Sequence, residues 1–188
     1  IPTNRYAVDP DMIKTCVQSI KDQSVGLTIE ILMFSQDEID IEGVTWVKEE
    51  GRQGPVFGFN HLARLAKGDY LAPFTDDMMY TSHIQNSIDF LNNSDFEYGV
   101  CGLSVGGSCK IPTNNPRYSH NTMIRFIFMN RECFKKLENY IFHPDLFYHG
   151  GDIWLSYFLA TKGSPAVEGG STITTIKPCK DSSFERGD

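Results

Sequence analysis

The sequence predicts a single α/β domain in which helices flank a central β-sheet that is mixed but mostly parallel. Short apolar segments rich in β-branched residues alternate with amphipathic helices through the first half of the chain, and this alternation is typical of βαβ units. A length of 188 residues is enough for one sizeable hydrophobic core, so one domain over residues 1–188 is expected.

The elements of the first half follow from apolar spacing and from chain breakers. Asp9 and Pro10 mark a helix start, because aspartate caps free amide groups and proline fits the first turn. A second helix starts at Gly54-Pro55 and stops at Gly68. The predicted order is a strand end at Ile1, a helix from Pro10, strands 27–34 and 44–47, a helix from Pro55, a strand 70–74 and a helix 84–91.

The second half of the chain is less regular. A final helix opens at Asp152 and runs through 159 before a β-rich segment. The predicted elements before it are a strand 98–105, a polar stretch 106–121, a strand 123–129 and a helix 131–140.

The charge balance excludes some classes of partner. Seventeen basic and 24 acidic side chains give a formal charge of −7, which argues against binding to nucleic acid or to an anionic membrane. A small phosphorylated ligand remains compatible, because a bound divalent cation inverts the local field. No apolar run of about 18 residues occurs, so no transmembrane segment is predicted and we expect a soluble, cytoplasmic protein. Further domains, or a part peripheral to a membrane, would belong to a longer polypeptide.

The five cysteines are scattered and show no C-x-x-C spacing. This pattern indicates neither a disulfide framework nor a zinc site. Free thiols in a reducing compartment are expected at Cys16, Cys101, Cys109, Cys133 and Cys179.

The predicted strand 70–74 ends in Thr75 and two adjacent carboxylates, Asp76 and Asp77. Like charges about 4 Å apart repel by roughly 4 kcal/mol at an effective dielectric constant near 20, so a positive partner is expected beside them. Mg²⁺ or Mn²⁺ fits, because hard cations take oxygens from one or two carboxylates and complete their shell with phosphates and water. A solvated turn or a helix cap is the alternative. Ligands of such sheets bind beyond the carboxyl ends of the strands, where the loops at Asn4-Arg5 and Asp37 are also expected.

Residues 59–77 resemble the central segment of family 2 glycosyltransferases with the GT-A fold, which is Rossmann-like. In that family a helix that contains an asparagine and ends A-x-G-[DE]-[YF]-[IL] leads through a strand into an acidic D-x-D-type motif. Here Asn60 and the letters A-K-G-D-Y-L match, while Thr75 takes the first position of the motif. The resemblance implies a divalent cation held chiefly by Asp77, with Asp76 as a supporting ligand or nearer the ribose. It also places Asn60 and Thr75 in the nucleotide-sugar site.

Three further segments resemble the family in the same order. Residues 1–5 are similar to the first-strand I-P-T-x-N-R signature, without the residue before the asparagine. Residues 29–37 are similar to the second strand and its terminal acid, and residues 147–155 to the later G-E-D-x-x-L motif. The resemblance implies a nucleotide-sugar-dependent glycosyltransferase, with a nucleotide-binding half of about 1–105 and an acceptor and catalytic half of about 106–188.

The resemblance also implies the donor. The loop of Pro2, Thr3, Asn4 and Arg5 touches the base and ribose in the family, and the acid at Asp37 accepts a hydrogen bond from the base. Because the family's usual base is uracil, the expected donor is a UDP-sugar, with a glucose-type sugar preferred. Thymidine and guanosine donors are alternatives. The expected acceptor is a hydroxyl group of a glycan or glycoconjugate.

Other residues near the predicted site carry two interpretations each. Arg52 and Gly54 precede the second helix, where a guanidinium and free backbone amides could bind phosphate; Arg52 is otherwise a surface charge. Residues 110–120 are either a mobile lid over the diphosphate or an ordinary long loop. For His143 and His149, one interpretation is that either side chain binds the metal or contacts the acceptor. The other is that both are solvent-facing or hydrogen-bonded side chains.

Asp152 is the predicted catalytic base. An inverting transfer needs one base to take the acceptor proton, while the metal neutralises the departing diphosphate. The family's acid pair is reduced here to Gly151-Asp152, which leaves one carboxylate for that role. The alternative for Asp152 is an N-cap of a helix beginning at Ile153. Retaining transfer and a non-catalytic nucleotide- or glycan-binding module are the alternatives for the whole chain.

Three other enzyme classes fit the sequence less well. A nucleotidylyltransferase or a dinucleotide oxidoreductase opens with a glycine-rich loop, and residues 1–6 contain no glycine. A haloacid-type phosphatase needs an Asp-x-Asp nucleophile at the first strand, and none is present there.

Overall fold

The computed structural model describes residues 1–95, 97–105, 124, 126–146, 151–162 and 168–176. Its helices are α1 (Pro10–Asp22), α2 (Pro55–Leu65), α3 (Gln85–Asn92), α4 (Arg131–Lys136) and α5 (Gly151–Thr161). Its strands are β1 (Ile31–Ser35), β2 (Val44–Lys48), β3 (Tyr70–Leu71), β4 (Met78–Tyr80), β5 (Val100–Val105), β6 (Ile127–Asn130) and β7 (Glu168–Thr175).

The N-terminal residues lie beside a parallel pair of strands. β1 and β2 run parallel, with Ile31 opposite Val44. Pro2 forms a parallel bridge with Phe34, because the Thr3 amide donates to the Phe34 carbonyl at 2.9 Å and the Phe34 amide to the Ile1 carbonyl at 3.0 Å. The strand end predicted at Ile1 is therefore aligned with β1, and the two reach the same edge.

The other five strands form one mixed sheet in the order β3-β6-β5-β7-β4. β5 and β7 are parallel, whereas the pairs β3-β6, β4-β7 and β5-β6 are antiparallel. The predicted mixed sheet flanked by helices is confirmed. Parallel pairing is less frequent than predicted, since it joins only β1 to β2 and β5 to β7 among the described strands. The βαβ alternation that predicted it belongs to the first half of the chain, whereas every antiparallel pair contains a strand of the second half.

Some elements differ from the predictions, each for a local or tertiary reason. β1 begins at Ile31 rather than at residue 27, after a turn in which Gly26 has a positive φ of 81°. β3 ends before Pro73, which has no amide hydrogen to donate to a ladder. β4 was not predicted, because its pairing partner is β7, far along the sequence.

Helix α1 illustrates how the sequence builds this fold. The Asp9 carboxylate accepts a hydrogen bond from the Met12 amide at 3.2 Å, and Pro10 occupies the first turn. The buried face of α1 follows helical spacing and packs against β1. No helix in the described part of the chain is long and apolar enough to cross a bilayer.

Helix α2 lies close against the first residues of the chain. A Cβ atom at Gly58 would lie 3.0 Å from side-chain atoms of Pro2 and Phe34, so the glycine permits this approach. Gly54 precedes the helix with φ 82° and ψ 161°, and Pro55 begins it. The start of α2 is therefore fixed beside the end of β1, where the Phe34 and Phe57 rings are 5.9 Å apart.

Candidate functional site

The acid pair Asp76-Asp77 lies in a turn that leads into β4. The Met78 amide donates to the Thr75 carbonyl at 3.4 Å, and the Ile176 amide donates to the Asp77 carbonyl at 2.9 Å. The Cys16 thiol of α1 contacts the Thr75 carbonyl at 3.7 Å. Backbone contacts from the turn itself, from the end of β7 and from α1 therefore hold the two carboxylates in place.

Thr3 joins the first segment of the chain to this turn. Its hydroxyl donates to Asp76 Oδ2 at 2.5 Å, and both residues are only 7% exposed. The same hydroxyl oxygen accepts a hydrogen bond from the Arg5 amide at 3.1 Å. The sequence signature at residues 1–5 and the acidic motif are thus parts of one site.

Arg5 supplies the positive charge that the acid pair requires. Its Nη1 atom lies 3.6 Å from Asp76 Oδ1 and 3.5 Å from Asp77 Oδ2. The Arg5 side chain is 37% exposed and the Asp77 side chain 44% exposed, so solvent weakens these pairs. Asp76 is the buried member of the acid pair and Asp77 the accessible one.

Burial raises the pKa of the Asp76 carboxyl above its ordinary value. The hydrogen bond from Thr3 and the charge of Arg5 lower this pKa, and the neighbouring Asp77 charge raises it. Burial is the largest of these effects, so ionised Asp76 depends on Thr3 and Arg5 for its stabilisation.

The turn offers donors that fit a hard divalent cation. Mg²⁺ and related ions need only one or two protein carboxylates when phosphates and water complete the shell, and Asp76 and Asp77 provide that number. Within the described ranges no group of three or more His, Cys, Asp or Glu side chains is positioned to hold a metal. Thr75 Oγ1 is buried without a hydrogen-bond partner among the described residues, which leaves a polar atom at the turn for a ligand to satisfy.

Four further residues predicted for the donor site lie in segments that follow the N-terminal strand ends or precede α2: Asn4, Asp37, Arg52 and Gly54. Asn4 and Asp37 are exposed after the two aligned strand ends, and the Asp37 amide donates to Ser35 Oγ at 3.2 Å. Arg52 is exposed ahead of α2. Gly54 caps α2 without any side-chain hydrogen bond, so the first amides of this helix stay available to an anion.

Asn60 has a structural position that the sequence did not predict. It is buried in α2, and its Oδ1 accepts from the amides of Ile141 and Phe142 at 2.8 and 3.1 Å. Its Nδ2 donates to the Phe142 carbonyl at 2.8 Å. The asparagine thus clamps the segment 141–142 onto α2, in contrast to the expected contact with the nucleotide-sugar.

Asp152 lies in the first turn of α5, and the clamp at Phe142 helps to place it. Helix α5 begins at Gly151, so Asp152 is not the N-cap of a helix beginning at Ile153. A Cβ atom at Gly151 would lie 2.4 Å from the Phe142 ring, so only glycine permits this packing. Asp152 Oδ1 accepts from the Ile153 amide at 2.9 Å.

The carbonyl of Asp152 is linked through Ser156 to the backbone of Ile124. It accepts from Ser156 Oγ at 2.7 Å, and Ser156 Oγ accepts from the Ile124 amide at 2.9 Å. His143 packs edge-on against Trp154 of α5, with ring centroids 5.5 Å apart. The predictions for residues 110–120 and for His149 fall outside the described residues.

A cavity of about 290 Å³ lies elsewhere, bordered by residues 27–32, α2 and α3. Its walls are mainly apolar, and Thr3, Arg5, Asp76 and Asp77 do not line it. A nucleotide diphosphate needs charged and polar partners, so this cavity is not the predicted donor site.

The structure resembles solved glycosyltransferases. The mannosyltransferase PcManGT from Pyrobaculum calidifontis, in complex with GDP-Man and Mn²⁺, superimposes with a TM-score of 0.67 at 16% identity over 95% of this chain and 56% of that chain. TarS from S. aureus gives a TM-score of 0.61 at 12% identity over 94% and 57%, and TarS in complex with UDP gives 0.59 at 13% over 94% and 56%. The chain has the GT-A fold.

This chain spans little more than half the length of these glycosyltransferases. The sequence matches no protein-family model and no curated protein. The comparison with solved structures therefore confirms the GT-A fold that the sequence motifs predicted.

Proposed function

We propose that this chain is the catalytic domain of a glycosyltransferase that binds a nucleoside-diphosphate sugar at the Asp76-Asp77 turn. The cluster of Thr3, Arg5, Asp76 and Asp77 carries the proposal, because it joins two separate sequence signatures in one acidic site. Its position beyond the aligned ends of the N-terminal strands is where α/β sheets bind ligands.

We infer that Mn²⁺ or Mg²⁺ is the cofactor and that Asp77 is its chief ligand. Asp77 is the accessible carboxylate of the pair, whereas Oδ2 of Asp76 is occupied by Thr3. The complex of PcManGT with GDP-Man and Mn²⁺ supports a divalent cation in this fold.

The donor proposed for this chain is a UDP-sugar with a glucose-type sugar. The resemblance of the Asn4 loop and of Asp37 to the family's uridine site supports uracil, and TarS has been solved with UDP. Since PcManGT carries GDP-Man, a guanosine donor is the alternative to test. The acceptor is a hydroxyl group of a glycan or glycoconjugate.

Asp152 acts as the base in this proposal. Its carboxylate takes the proton of the acceptor hydroxyl as the acceptor oxygen forms a bond to the anomeric carbon. The bond from that carbon to the diphosphate oxygen breaks, and the nucleoside diphosphate leaves with the electron pair, which inverts the anomeric configuration. A bound divalent cation stabilises the charge of the leaving group. One oxygen of Asp152 is held by the Ile153 amide, while no described residue donates to the other.

Two substitutions separate binding from turnover. Asp77→Ala is expected to abolish Mn²⁺-dependent nucleotide binding, because it removes the chief metal ligand. Asp152→Asn keeps the size of the side chain but removes the base, so binding should persist and turnover should fall by about 100-fold or more. Nucleotide binding is measured by calorimetry and turnover by nucleoside diphosphate release. Asp89→Asn, at an exposed position of α3, is the control.

The outcomes distinguish the main alternatives. If both variants bind and turn over like the wild type, the site assignment is wrong. If the wild type binds nucleotide sugars and releases nothing with any donor, the chain is a non-catalytic binding module. The anomeric configuration of the product, read by NMR, distinguishes inverting from retaining transfer.

A further inference from the structure

The Arg5 guanidinium lies beside both carboxylates of the acid pair, where a bound divalent cation would also lie. We propose that Arg5 is a resident counter-cation, which holds Asp76 and Asp77 together in the metal-free protein and is displaced when a divalent cation binds. It thereby sets the affinity of the site for the metal. This inference rests on the proposed function of the turn as a metal site.

The oxygens that face Arg5 are those available to a metal. Asp76 Oδ2 accepts the Thr3 hydrogen bond, and the other oxygen, Oδ1, lies 3.6 Å from Arg5 Nη1. The nearest Asp77 oxygen, Oδ2, lies 3.5 Å from the same nitrogen. A divalent cation held by Asp76 and Asp77 would lie close to Nη1 and would repel the guanidinium.

The Arg5 side chain is able to leave without disturbing its loop. Its contacts of 3.5 and 3.6 Å are longer than the roughly 2.8 Å of a charge-assisted hydrogen bond, and the side chain is partly exposed. The backbone of Arg5 is fixed separately, because its amide donates to Thr3 Oγ1. Its carbonyl accepts from the Val8 and Asp9 amides at 2.9 and 2.7 Å.

Loss of the guanidinium should therefore have two opposite effects. The metal-free protein becomes less stable, because the two carboxylates lose their positive neighbour. Mn²⁺ binds more tightly, because it no longer has to displace Arg5. Exposed ion pairs of this kind change an equilibrium by a factor of about 1.5 to 5, and repulsion between the two cations adds to it, so we expect an increase of about fivefold in Mn²⁺ affinity.

The experiment measures the binding of Mn²⁺ in the absence of nucleotide, so that effects on donor binding do not influence the result. Free Mn²⁺ is followed by EPR in titrations of the wild type, Arg5→Gln and Arg5→Met. Arg5→Lys keeps the positive charge and should bind within about twofold of the wild type. Lys14→Gln removes one charge from an exposed position of α1 and controls for net charge.

Thermal unfolding provides a second readout that does not depend on turnover. In EDTA, Arg5→Gln should unfold at a lower temperature than the wild type, and Mn²⁺ should raise its Tm by more than it raises the wild-type Tm. A neutral variant that folds only when Mn²⁺ is present supports the inference equally well.

The two proposals fail in different ways. If Mn²⁺ binds the wild type and the two neutral variants bind it equally or more weakly, Arg5 is not displaced by the metal, and the proposed function is untouched. If no variant binds Mn²⁺ and the wild type also binds no nucleotide sugar, the metal site itself is refuted, and this inference with it.

Discussion

Replacement of Thr3 by valine tests the link between the first segment and the acid pair. Valine has nearly the same shape but cannot donate the 2.5 Å hydrogen bond to Asp76. A hydrogen bond to a charged group contributes about 1.5–3 kcal/mol. Since Arg5 still faces Asp76, we expect Thr3→Val to lower the free energy of unfolding by about 2 kcal/mol.

This loss corresponds to a fall in Tm of roughly 4–8 °C for a domain of this size. The assay is urea unfolding in EDTA, in which the midpoint should shift while the m-value stays unchanged. Thr45→Val, at an exposed position of β2, is the matched control. A difference between the two variants of less than about 0.5 kcal/mol would refute the role given to Thr3.

The effect of Thr3→Val should also depend on pH. Because burial raises the pKa of Asp76, the folded protein binds this proton more tightly than the unfolded chain does. The contribution of Asp76 to stability is therefore complete in acid and is lost as the pH rises through its folded pKa. The Thr3 hydrogen bond lowers this pKa, so its removal makes the loss larger. The wild type and Thr3→Val should differ most at neutral pH and least in acid.

Two further predictions concern the packing that supports the site. Asn60→Ala leaves the amides of Ile141 and Phe142 without their acceptor, so urea unfolding should show a free energy of unfolding lower by about 2–4 kcal/mol. The control Asn86→Ala, at an exposed position of α3, should change this free energy little. Equal unfolding midpoints for the two variants would contradict the role of Asn60. Burial raises the pKa of three thiols to about 12, so they should resist iodoacetamide at pH 8 until urea unfolds the protein. Mass spectrometry of the labelled peptides checks this, and fast labelling in the folded protein would contradict the burial of Cys16, Cys101 and Cys133.

The acid pair of the candidate site could be located in the sequence because its signals are local. The helix, turn, strand and acidic end of residues 59–77 follow one another within a single short segment. The resemblance that points to the acid pair is therefore visible in that segment alone. The need for a positive charge beside Asp76 and Asp77 followed from Coulomb repulsion alone. The structure provides that charge within the protein, through Arg5.

Features that depend on distant contacts could not be predicted. β4 pairs with β7, which is about 95 positions away, and no local pattern encodes that choice. The family resemblance placed Asn60 in the nucleotide-sugar site, yet the amides that its side chain binds lie 81 and 82 residues away. Gly58 gave a weak signal as a glycine inside a helix, which usually has a packing reason.

The most direct test of the central claim is release of nucleoside diphosphate from a panel of UDP-, TDP- and GDP-sugars, with Mn²⁺ or with EDTA. We expect release from at least one donor with Mn²⁺, and loss of that release in EDTA and in Asp77→Ala. A folded wild-type protein that binds these donors and releases no nucleoside diphosphate from any of them would contradict the claim.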